Sequence, residues 1–249
     1  MNSNTAERLA AINREFYERM GASFSATRQR LQPGVRKILE NLHSDENILD
    51  LGCGNGLLAR TLEGRGHRGI YLGVDSSPLM IQEAKHQNND AGVKFLQADL
   101  IQLASQDQKN STAPGDDPIQ AGWNMVFAFA VLHHIPGRGH RLKILNFIRE
   151  RMAHDGRFIH SNWQFLHDEK MKARIQPWEG VGLMEAELDE GDKLLDWRGG
   201  GHGLRYLHQF SEGELRELAE QTGFSILDVF YSDGLDGKMG LYQVWKQAD

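Results

Sequence analysis

The sequence has a single cysteine, Cys53, among its 249 residues. One thiol can form neither an intramolecular disulfide nor a metal site built from several thiolates. Long hydrophobic runs are missing too. The longest, MVFAFAVL at residues 125–132, is too short to span a bilayer. The first 20 residues mix Glu and Arg and lack the apolar core of a signal peptide, so we expect a cytoplasmic protein with no membrane partner.

An excess of positive charge is also missing, because 28 basic residues face 34 acidic ones and the net charge is −6. No global positive field therefore points to nucleic-acid binding. The charge is uneven, however: residues 138–157 have a balance of +4 and residues 179–196 a balance of −6. Solvated surface is the simplest interpretation of both stretches. The 11 histidines show no helical pairing with a glutamate, so no metal site is expected.

Segments typical of strands and helices alternate along most of the chain. An amphipathic first helix is predicted by Leu9, Ile12, Phe16 and Met20, and Pro33 opens a second. Seven strands are predicted at residues 46–52, 69–75, 93–99, 123–132, 156–163, 224–231 and 238–246. Strands separated by helices pair in parallel through right-handed crossovers, whereas the last two are joined by a short turn. The sequence therefore predicts an α/β fold, a doubly wound and mostly parallel seven-stranded sheet with one antiparallel edge.

Three regions depart from this alternation within what we interpret as one domain, residues 1–249. Residues 1–32 form an N-terminal cap, and the polar, Pro- and Gly-rich residues 105–122 a surface loop or insertion. Residues 164–210 are rich in Gly and acids and are interpreted as an insertion or lid before the last helix. That helix is predicted to begin at the capping box Ser211–Glu214 and to end at Gly223.

The stretch NILDLGCGNG at residues 47–56 joins a strand to a helix through three glycines. Gly52, Gly54 and Gly56 let the backbone turn sharply and approach a ligand at the carboxyl end of the sheet. A dinucleotide would place its pyrophosphate here, but Asp50 would repel it, and the spacing is GxGxG rather than GxGxxG. S-adenosylmethionine carries an ammonium and a sulfonium instead, which a carboxylate favours. Asp50 therefore indicates the sulfonium cofactor.

Two more acids follow the next two strands. Asp75 lies where it can accept hydrogen bonds from both ribose hydroxyls of a nucleoside. Asp99 follows one strand-helix period later, where it can accept from the adenine amino group. A helix cap or an ordinary loop residue is the alternative for each. Three acids at three successive strand ends favour a nucleoside site.

The motifs DLGCGNG, GVDSS, QADL and FAVLHHIP make residues 33–163 resemble the class I S-adenosylmethionine-dependent methyltransferases. The resemblance implies a Rossmann-like fold, methyl transfer and S-adenosyl-L-methionine as cofactor. The candidate cofactor-binding residues are Asp50, Gly52, Gly54, Asp75, Ser76, Asp99, Leu100 and Ala130. His133 and His134 follow the fourth strand, where each either packs the loop or offers a polar wall or a base to the substrate.

The flanks resemble the tRNA methyltransferases that esterify a carboxymethyl group on the wobble uridine. The similar segments are FSATR at residues 24–28 and RYLHQFSEGEL at residues 205–215. The resemblance implies tRNA as a partner, with residues 138–157 as a backbone contact, and a small zinc-binding activator protein, on which eukaryotic members rely. A carboxylate is its own nucleophile and needs alignment, which an arginine fork supplies. Arg28, Arg198 and Arg205 are candidates for that fork, and Arg28, His133 and Arg205 are the candidate catalytic residues.

Two other functions remain open at this point. The acidic stretch at residues 179–196 is unfavourable for a protein that binds tRNA alone, so the acceptor is alternatively a small-molecule acid or another metabolite. A non-catalytic module that binds S-adenosylmethionine is the third hypothesis. It is disfavoured because the glycines and Asp75 are intact.

Overall fold

The computed structural model describes residues 1–27, 29–88, 90–105, 119–199 and 201–248, without the side chains of residues 22 and 24. Its helices are α1 (Ser3–Ala26), α2 (Pro33–Leu39), α3 (Leu57–Gly64), α4 (Pro78–Gln87), α5 (Leu100–Leu103), α6 (Arg138–Arg151), α7 (Glu169–Lys172) and α8 (Glu212–Gln221). Its strands are β1 (Ile48–Leu51), β2 (Tyr71–Asp75), β3 (Val93–Gln97), β4 (Trp123–Phe129), β5 (Met152–Trp163), β6 (Ile175–Gln176), β7 (Asp192–Trp197), β8 (Gly203–His208), β9 (Phe224–Ser232) and β10 (Gly240–Gln247). Most of the loop predicted at residues 105–122 lies outside the described residues.

Seven strands form the main sheet in the order β3-β2-β1-β4-β5-β10-β9. The first five pair in parallel, and β10 runs antiparallel between β5 and β9. The predicted fold class and its antiparallel edge are confirmed. The order reverses between β1 and β4, and a doubly wound sheet opens its ligand crevice at such a switch point. The glycine loop follows β1 at that point.

Several helix ends follow the predicted local chemistry. The hydroxyl of Ser77 accepts a hydrogen bond from the Met80 amide at the start of α4. At the start of α8, Ser211 caps the Glu214 amide, so this half of the predicted capping box is confirmed. The chain leaves α8 through Gly223, whose φ of +71° favours glycine.

Apolar side chains cover both faces of the main sheet. One face packs mainly on α6 and α8 through Val126, Leu145, Leu218 and Trp245, and the other on α2 and α3 through Leu39, Leu62 and Phe127. The central strands of the sheet are continuous apolar runs in the sequence because both of their faces are buried. Among the helices within the described ranges, none is long and apolar enough to cross a bilayer.

The insertion before α8 contains a small antiparallel sheet that the sequence did not predict. Its strand order is β6-β7-β8, and β8 lies against α1. Leu9 of α1 packs into a cluster with Trp178, Leu194 and Tyr206 of the insertion. The insertion therefore holds α1 in place.

A buried polar network ties this small sheet to the main domain. His208 lies 2.7 Å from the Asp192 carboxylate through Nδ1 and 2.9 Å from the Glu214 carboxylate through Nε2. Arg141 donates to the Tyr206 hydroxyl, to Glu214 and to the Ile135 carbonyl. Tyr206, His208 and Glu214 of the motif at residues 205–215 thus have structural roles.

The same network changes the interpretation of the basic stretch at residues 138–157. Arg141 and Arg151 are buried rather than presented to solvent. Arg138 pairs with Glu217 on the surface. Fewer cations face solvent than the sequence balance of +4 indicated, which weakens this stretch as a contact for an RNA backbone.

Candidate active site

The glycine loop after β1 is shaped by positive φ angles. Gly52, Gly54 and Gly56 have φ values of +74°, +54° and +72°, which L-residues rarely adopt. A Cβ at Gly52 would lie 2.4 Å from Val131, whereas a Cβ at Gly54 would meet no atom within 4 Å. Gly54 therefore leaves open space for a ligand beside the backbone.

Asp50 is buried at the end of β1. Burial raises its pKa to about 7, and a hydrogen bond from the Tyr71 hydroxyl partly opposes that rise. The nearby carboxylate of Asp75 raises the pKa further. A cation placed beside Asp50 would stabilise its ionised form.

Asp75 ends β2 and orders two loops at once. One carboxylate oxygen accepts from the Gly54 amide and the other from the Ser77 amide, each at 2.9 Å. Burial raises its pKa, and these amide hydrogen bonds oppose the rise. Each carboxylate oxygen has a second lone pair, so both can still accept from ribose hydroxyls.

Asp99 caps α5, as the alternative interpretation of this residue stated. Its Oδ1 accepts from the Ile101 amide at 2.8 Å and the Gln102 amide at 3.2 Å. Its Oδ2 lies 3.9 Å from Arg14 of α1. One oxygen therefore caps the helix. The other lies near the partly exposed side chain of Arg14 and can also contact a ligand.

Ala130 follows β4 with a φ of +59°, which is uncommon for a residue with a Cβ. Its amide donates to the carbonyl oxygen of Ser161, and Ser161 Oγ lies 3.1 Å away. This turn ends β4 at Phe129, three residues before the predicted end at Leu132. Such strained backbone is common at functional sites.

All eight predicted cofactor residues line one cavity of about 310 Å³. They are Asp50, Gly52, Gly54, Asp75, Ser76, Asp99, Leu100 and Ala130. This size is in the range of small-molecule sites. The successive strand ends of the parallel sheet thus meet in one place.

Part of the cavity wall comes from the N-terminal segment, whose lining residues were not among the candidates from the sequence. Four lie on α1, namely Ala10, Asn13, Arg14 and Tyr17, and three follow it, namely Arg30, Leu31 and Gln32. The α1 residues recur at i, i+3, i+4 and i+7, which places them on one helix face. That spacing was the available signal. Within residues 164–199 and 201–210 of the insertion, none lines the cavity.

The two histidines after β4 occupy different places. His134 lines the cavity, and its Nε2 lies 3.0 Å from the Tyr17 hydroxyl. His133 is fully buried beside the cavity, with its ring stacked on Trp163 at 5.7 Å between centroids. Trp163 itself lines the cavity, so His133 adjoins the site through that indole.

Arg205, another of the candidate catalytic residues, lies inside a cage of aromatic rings. Its guanidinium carbon is 4.9 Å from the Trp163 ring, 5.4 Å from Trp197 and 5.5 Å from Phe16. The residue is 1% exposed and is not part of the cavity lining. Arg28 lies outside the described residues, and Arg198 is on the surface, paired with Asp196.

The sequence profile of the methyltransferase domain family matches residues 24–229. The chain is a methyltransferase of this family. It is 26% identical over 214 residues to a protein of Encephalitozoon cuniculi named as a methyltransferase, covering 86% of this chain and 87% of that protein. It is 24% identical over 235 residues to the tRNA (carboxymethyluridine(34)-5-O)-methyltransferase of Schizosaccharomyces pombe, covering 87% and 90%. A trans-aconitate 2-methyltransferase of Methylobacterium nodulans is 32% identical over 115 residues, covering 46% and 37%.

Solved structures of methyltransferases share the fold. One from Methanosarcina mazei superposes with a TM-score of 0.64 at 19% identity, covering 88% of this chain and 99% of that one. A methyltransferase of Haloferax volcanii, solved with the Trm112 methyltransferase activator, gives 0.64 at 14% identity, covering 96% and 98%. The methyltransferase therefore has the fold of S-adenosylmethionine-dependent enzymes.

The cavity of the methyltransferase fits S-adenosylmethionine, its cofactor. The open space at Gly54 admits a ligand against the backbone, and Asp75 presents two acceptors at the end of β2. Asp50 would place a buried carboxylate beside the positive charge of the cofactor's amino acid part. When bound, the cofactor supplies an electrophilic methyl group. The protein orients that group and excludes water around it.

Proposed function

We propose that this methyltransferase esterifies a carboxylate, namely the carboxymethyl group of a wobble uridine in tRNA. The supporting observation is that Arg14 and Arg30 line the same cavity as the cofactor residues. The carboxylates of this cavity suit a cationic cofactor, and its two arginines suit an anionic acceptor. Neither arginine was among the candidates from the sequence.

Esterification of a carboxylate asks little of the protein beyond alignment. The acceptor is already ionised at neutral pH, so no residue has to remove a proton. A guanidinium can hold both carboxylate oxygens in one plane and so fix the attacking oxygen. Arg14 is 49% exposed and its contact with Asp99 is long, so it is available for this role.

The names of two relatives agree with a carboxylate acceptor. The S. pombe protein is named for a carboxymethyluridine of tRNA, and the M. nodulans protein for trans-aconitate, itself a carboxylic acid. The first matches most of both chains, whereas the second matches under half of either. The coverage favours tRNA over a small acid.

A small activator protein of the Trm112 kind belongs to the same proposal. It rests on the H. volcanii methyltransferase, which was solved with such an activator and covers 96% of this chain. The negative net charge fits a protein that relies on a partner for part of its tRNA affinity. A cytoplasmic location stays a prediction from the sequence.

The test is methyl transfer to tRNA that carries an unesterified carboxymethyl uridine, with mass spectrometry of the digested nucleosides. The assay is run with and without a Trm112-type activator. Arg14→Ala should lower transfer about 100-fold, and Arg14→Lys should restore only part of it, because an ammonium lacks the planar fork. Arg216→Ala is the matched control, since Arg216 is an exposed arginine on α8 that does not line the cavity.

A small-molecule acid is the second candidate, and the trans-aconitate relative is the observation that favours it. The same preparation is therefore offered a panel of free di- and tricarboxylic acids. Methylation of a free acid, with no ester on tRNA in the presence of an activator, would contradict the tRNA proposal and establish this alternative.

A further inference from the structure

A second cavity, of about 400 Å³, lies on another face of α1, between that helix and the small antiparallel sheet. Its apolar lining comes from Ile12, Phe16 and Met20 of α1 and from Val181 and Leu204 of the insertion. Its polar lining includes Glu15, Arg19, Gln176, Asp196 and His202. We refer to this cavity as the α1 groove.

Asp196 gives the α1 groove an acceptor. Its Oδ2 accepts from the Nε of Arg198 at 2.7 Å. Its Oδ1 is buried, and no group among the described residues donates to it. A buried carboxylate oxygen without a donor is costly, so this atom favours a ligand with an N–H group.

The charges of the α1 groove favour a neutral ligand over a cation. Glu15 is paired with Arg19 at 3.0 Å, and Asp196 with Arg198. With both acids compensated, no net negative charge remains to attract an ammonium group. A flat apolar ring with an amino edge satisfies both the apolar walls and Oδ1. Cytosine and adenine are such rings, whereas uracil presents carbonyl oxygens at the corresponding edge.

The α1 groove adjoins the active site through aromatic rings. Phe16 lines the groove, and its neighbour Tyr17 lines the cofactor cavity, with 5.1 Å between the two ring centroids. Arg205 contacts both Phe16 and Trp163, and Trp163 lines the cofactor cavity. The α1 helix and these side chains therefore form a common wall between the α1 groove and the cofactor cavity.

We propose that the α1 groove binds an amino-bearing base, cytosine or adenine, of an RNA whose modified nucleotide enters the cofactor cavity. The inference rests on the proposed function for its RNA, but the base preference can be measured without methyl transfer. Asp196 sets that preference because its free Oδ1 accepts from the amino group. A free nucleotide carries the same chemistry as a base in RNA, so the experiment includes both.

Binding is read at the Met20 methyl group, which lies in the α1 groove, by NMR of protein labelled at methionine methyls. The cofactor cavity is first saturated with S-adenosylhomocysteine. Cytidine monophosphate should shift the Met20 signal with an affinity about tenfold above that of uridine monophosphate. In Asp196→Asn, Arg198 retains the carbonyl oxygen and the amide NH2 takes the Oδ1 position. The preference should then reverse towards uridine.

Asp228→Asn is the matched control, because it removes the same charge from an exposed position on β9. It should leave the preference for cytidine unchanged. Equal affinity for the two nucleotides, or a Met20 signal that does not move, would overturn the proposal. So would a preference that survives Asp196→Asn in protein that still binds S-adenosylhomocysteine.

RNA stem-loops provide the second arm. A base next to the modified uridine is varied between cytidine and uridine. In the wild type, KM should be about tenfold higher for the stem-loop with uridine than for the one with cytidine. In Asp196→Asn, KM should be lower for the stem-loop with uridine. If no ester forms on any tRNA while the nucleotide preference and its reversal hold, the proposed function fails and the base site stands. If the ester forms but neither nucleotide discriminates, the base site fails alone.

Discussion

The hydroxyl of Tyr71 donates a hydrogen bond to the carboxylate of Asp50, which is buried at the end of β1. Burial raises the pKa of Asp50 to about 7, so near neutral pH its ionised form is only partly populated in the free protein. A positively charged ligand beside it favours that ionised form. We therefore predict that the carboxylate before the glycine loop couples cofactor binding to proton release.

The affinity for S-adenosylmethionine should accordingly depend on pH. Below a pKa of about 7 for Asp50, binding has to ionise this carboxyl, so affinity should rise up to tenfold per pH unit. Above that pKa the carboxylate is already present, and affinity should become constant. Calorimetry between pH 5.5 and 8.5 in buffers of different ionisation enthalpy measures both the affinity and the released proton.

Tyr71→Phe is the control for that titration. The hydrogen bond from Tyr71 lowers the pKa of Asp50, so its loss should move the midpoint to higher pH. An affinity that is flat across this range in the wild type would show that Asp50 does not meet the positive charge of the cofactor.

The stability of the free protein should show the opposite dependence. The pKa of Asp50 rises from 3.8 to about 7 on folding, so the folded state disfavours its ionisation. The stabilisation is complete below about pH 4 and is lost as the pH rises through about 7, a difference on the order of 4 kcal/mol. Asp50→Asn should therefore be more stable than the wild type at pH 8 and bind the cofactor less tightly. Urea unfolding at pH 5 and pH 8 measures this, and an equal stability difference at both values would contradict it.

Local signals in the sequence were sufficient for the main sheet. Alternating segments predicted its seven strands, and Ser77, Ser211 and Gly223 marked helix ends because capping acts within a few residues. The three candidate acids lie together because successive strand ends meet in space in a parallel sheet. The cavity lining confirms that they converge, although their contact with cofactor stays a prediction.

The other features of the fold and of the site depend on contacts between segments that are distant in the sequence. The cage of Arg205 joins Phe16, Trp163 and Trp197, and no local pattern brings these rings together. The strands of the insertion are short, and their pairing is supported by the buried Asp192–His208 contact. On α1 the apolar spacing predicted only the packing face, whereas a second face, with Asn13, Arg14 and Tyr17, lines the cavity.

Asn13 should be important for stability because it joins α1 to two other elements. Its amide donates to the carbonyls of His134 and Tyr206, and its oxygen accepts from the Tyr206 amide at 2.8 Å. Asn13→Ala leaves these buried groups without partners and should cost about 2–4 kcal/mol of unfolding free energy. Glu15→Ala, at an exposed pair on the same helix, should cost less than about 1 kcal/mol. Equal losses in urea unfolding would show that Asn13 does not anchor the helix.

Trypsin can test which segment covers the cavity. Arg30 lines it, whereas Arg198 of the insertion does not. If the N-terminal segment is the cover, S-adenosylhomocysteine should slow cleavage after Arg30 about tenfold and leave cleavage after Arg198 unchanged. Mass spectrometry of early digests gives both rates. Slower cleavage after Arg198 alone would instead support the lid at residues 164–210 that the sequence predicted.

Arg205 should affect turnover rather than cofactor binding. It is buried behind Trp163, a wall of the cavity, and is absent from the cofactor lining. Arg205→Met keeps most of the side-chain volume but removes the charge and the planar fork, so turnover should fall about 100-fold while the Kd for S-adenosylhomocysteine stays within about twofold. Arg205→Lys should recover little, because an ammonium does not stack on three rings as the planar guanidinium does.

A purely packing role for Arg205 gives a different result. In that case Arg205→Met would lower the melting temperature, and the folded fraction would keep wild-type turnover. The two roles are separated by measuring kcat, the Kd for S-adenosylhomocysteine and thermal unfolding on the same preparations. Suppose that the variant loses kcat but melts near the wild-type temperature and binds S-adenosylhomocysteine normally. The aromatic cage then holds without the charge, and only the step that uses the acceptor has changed. This result would show that Arg205 acts on the methyl acceptor.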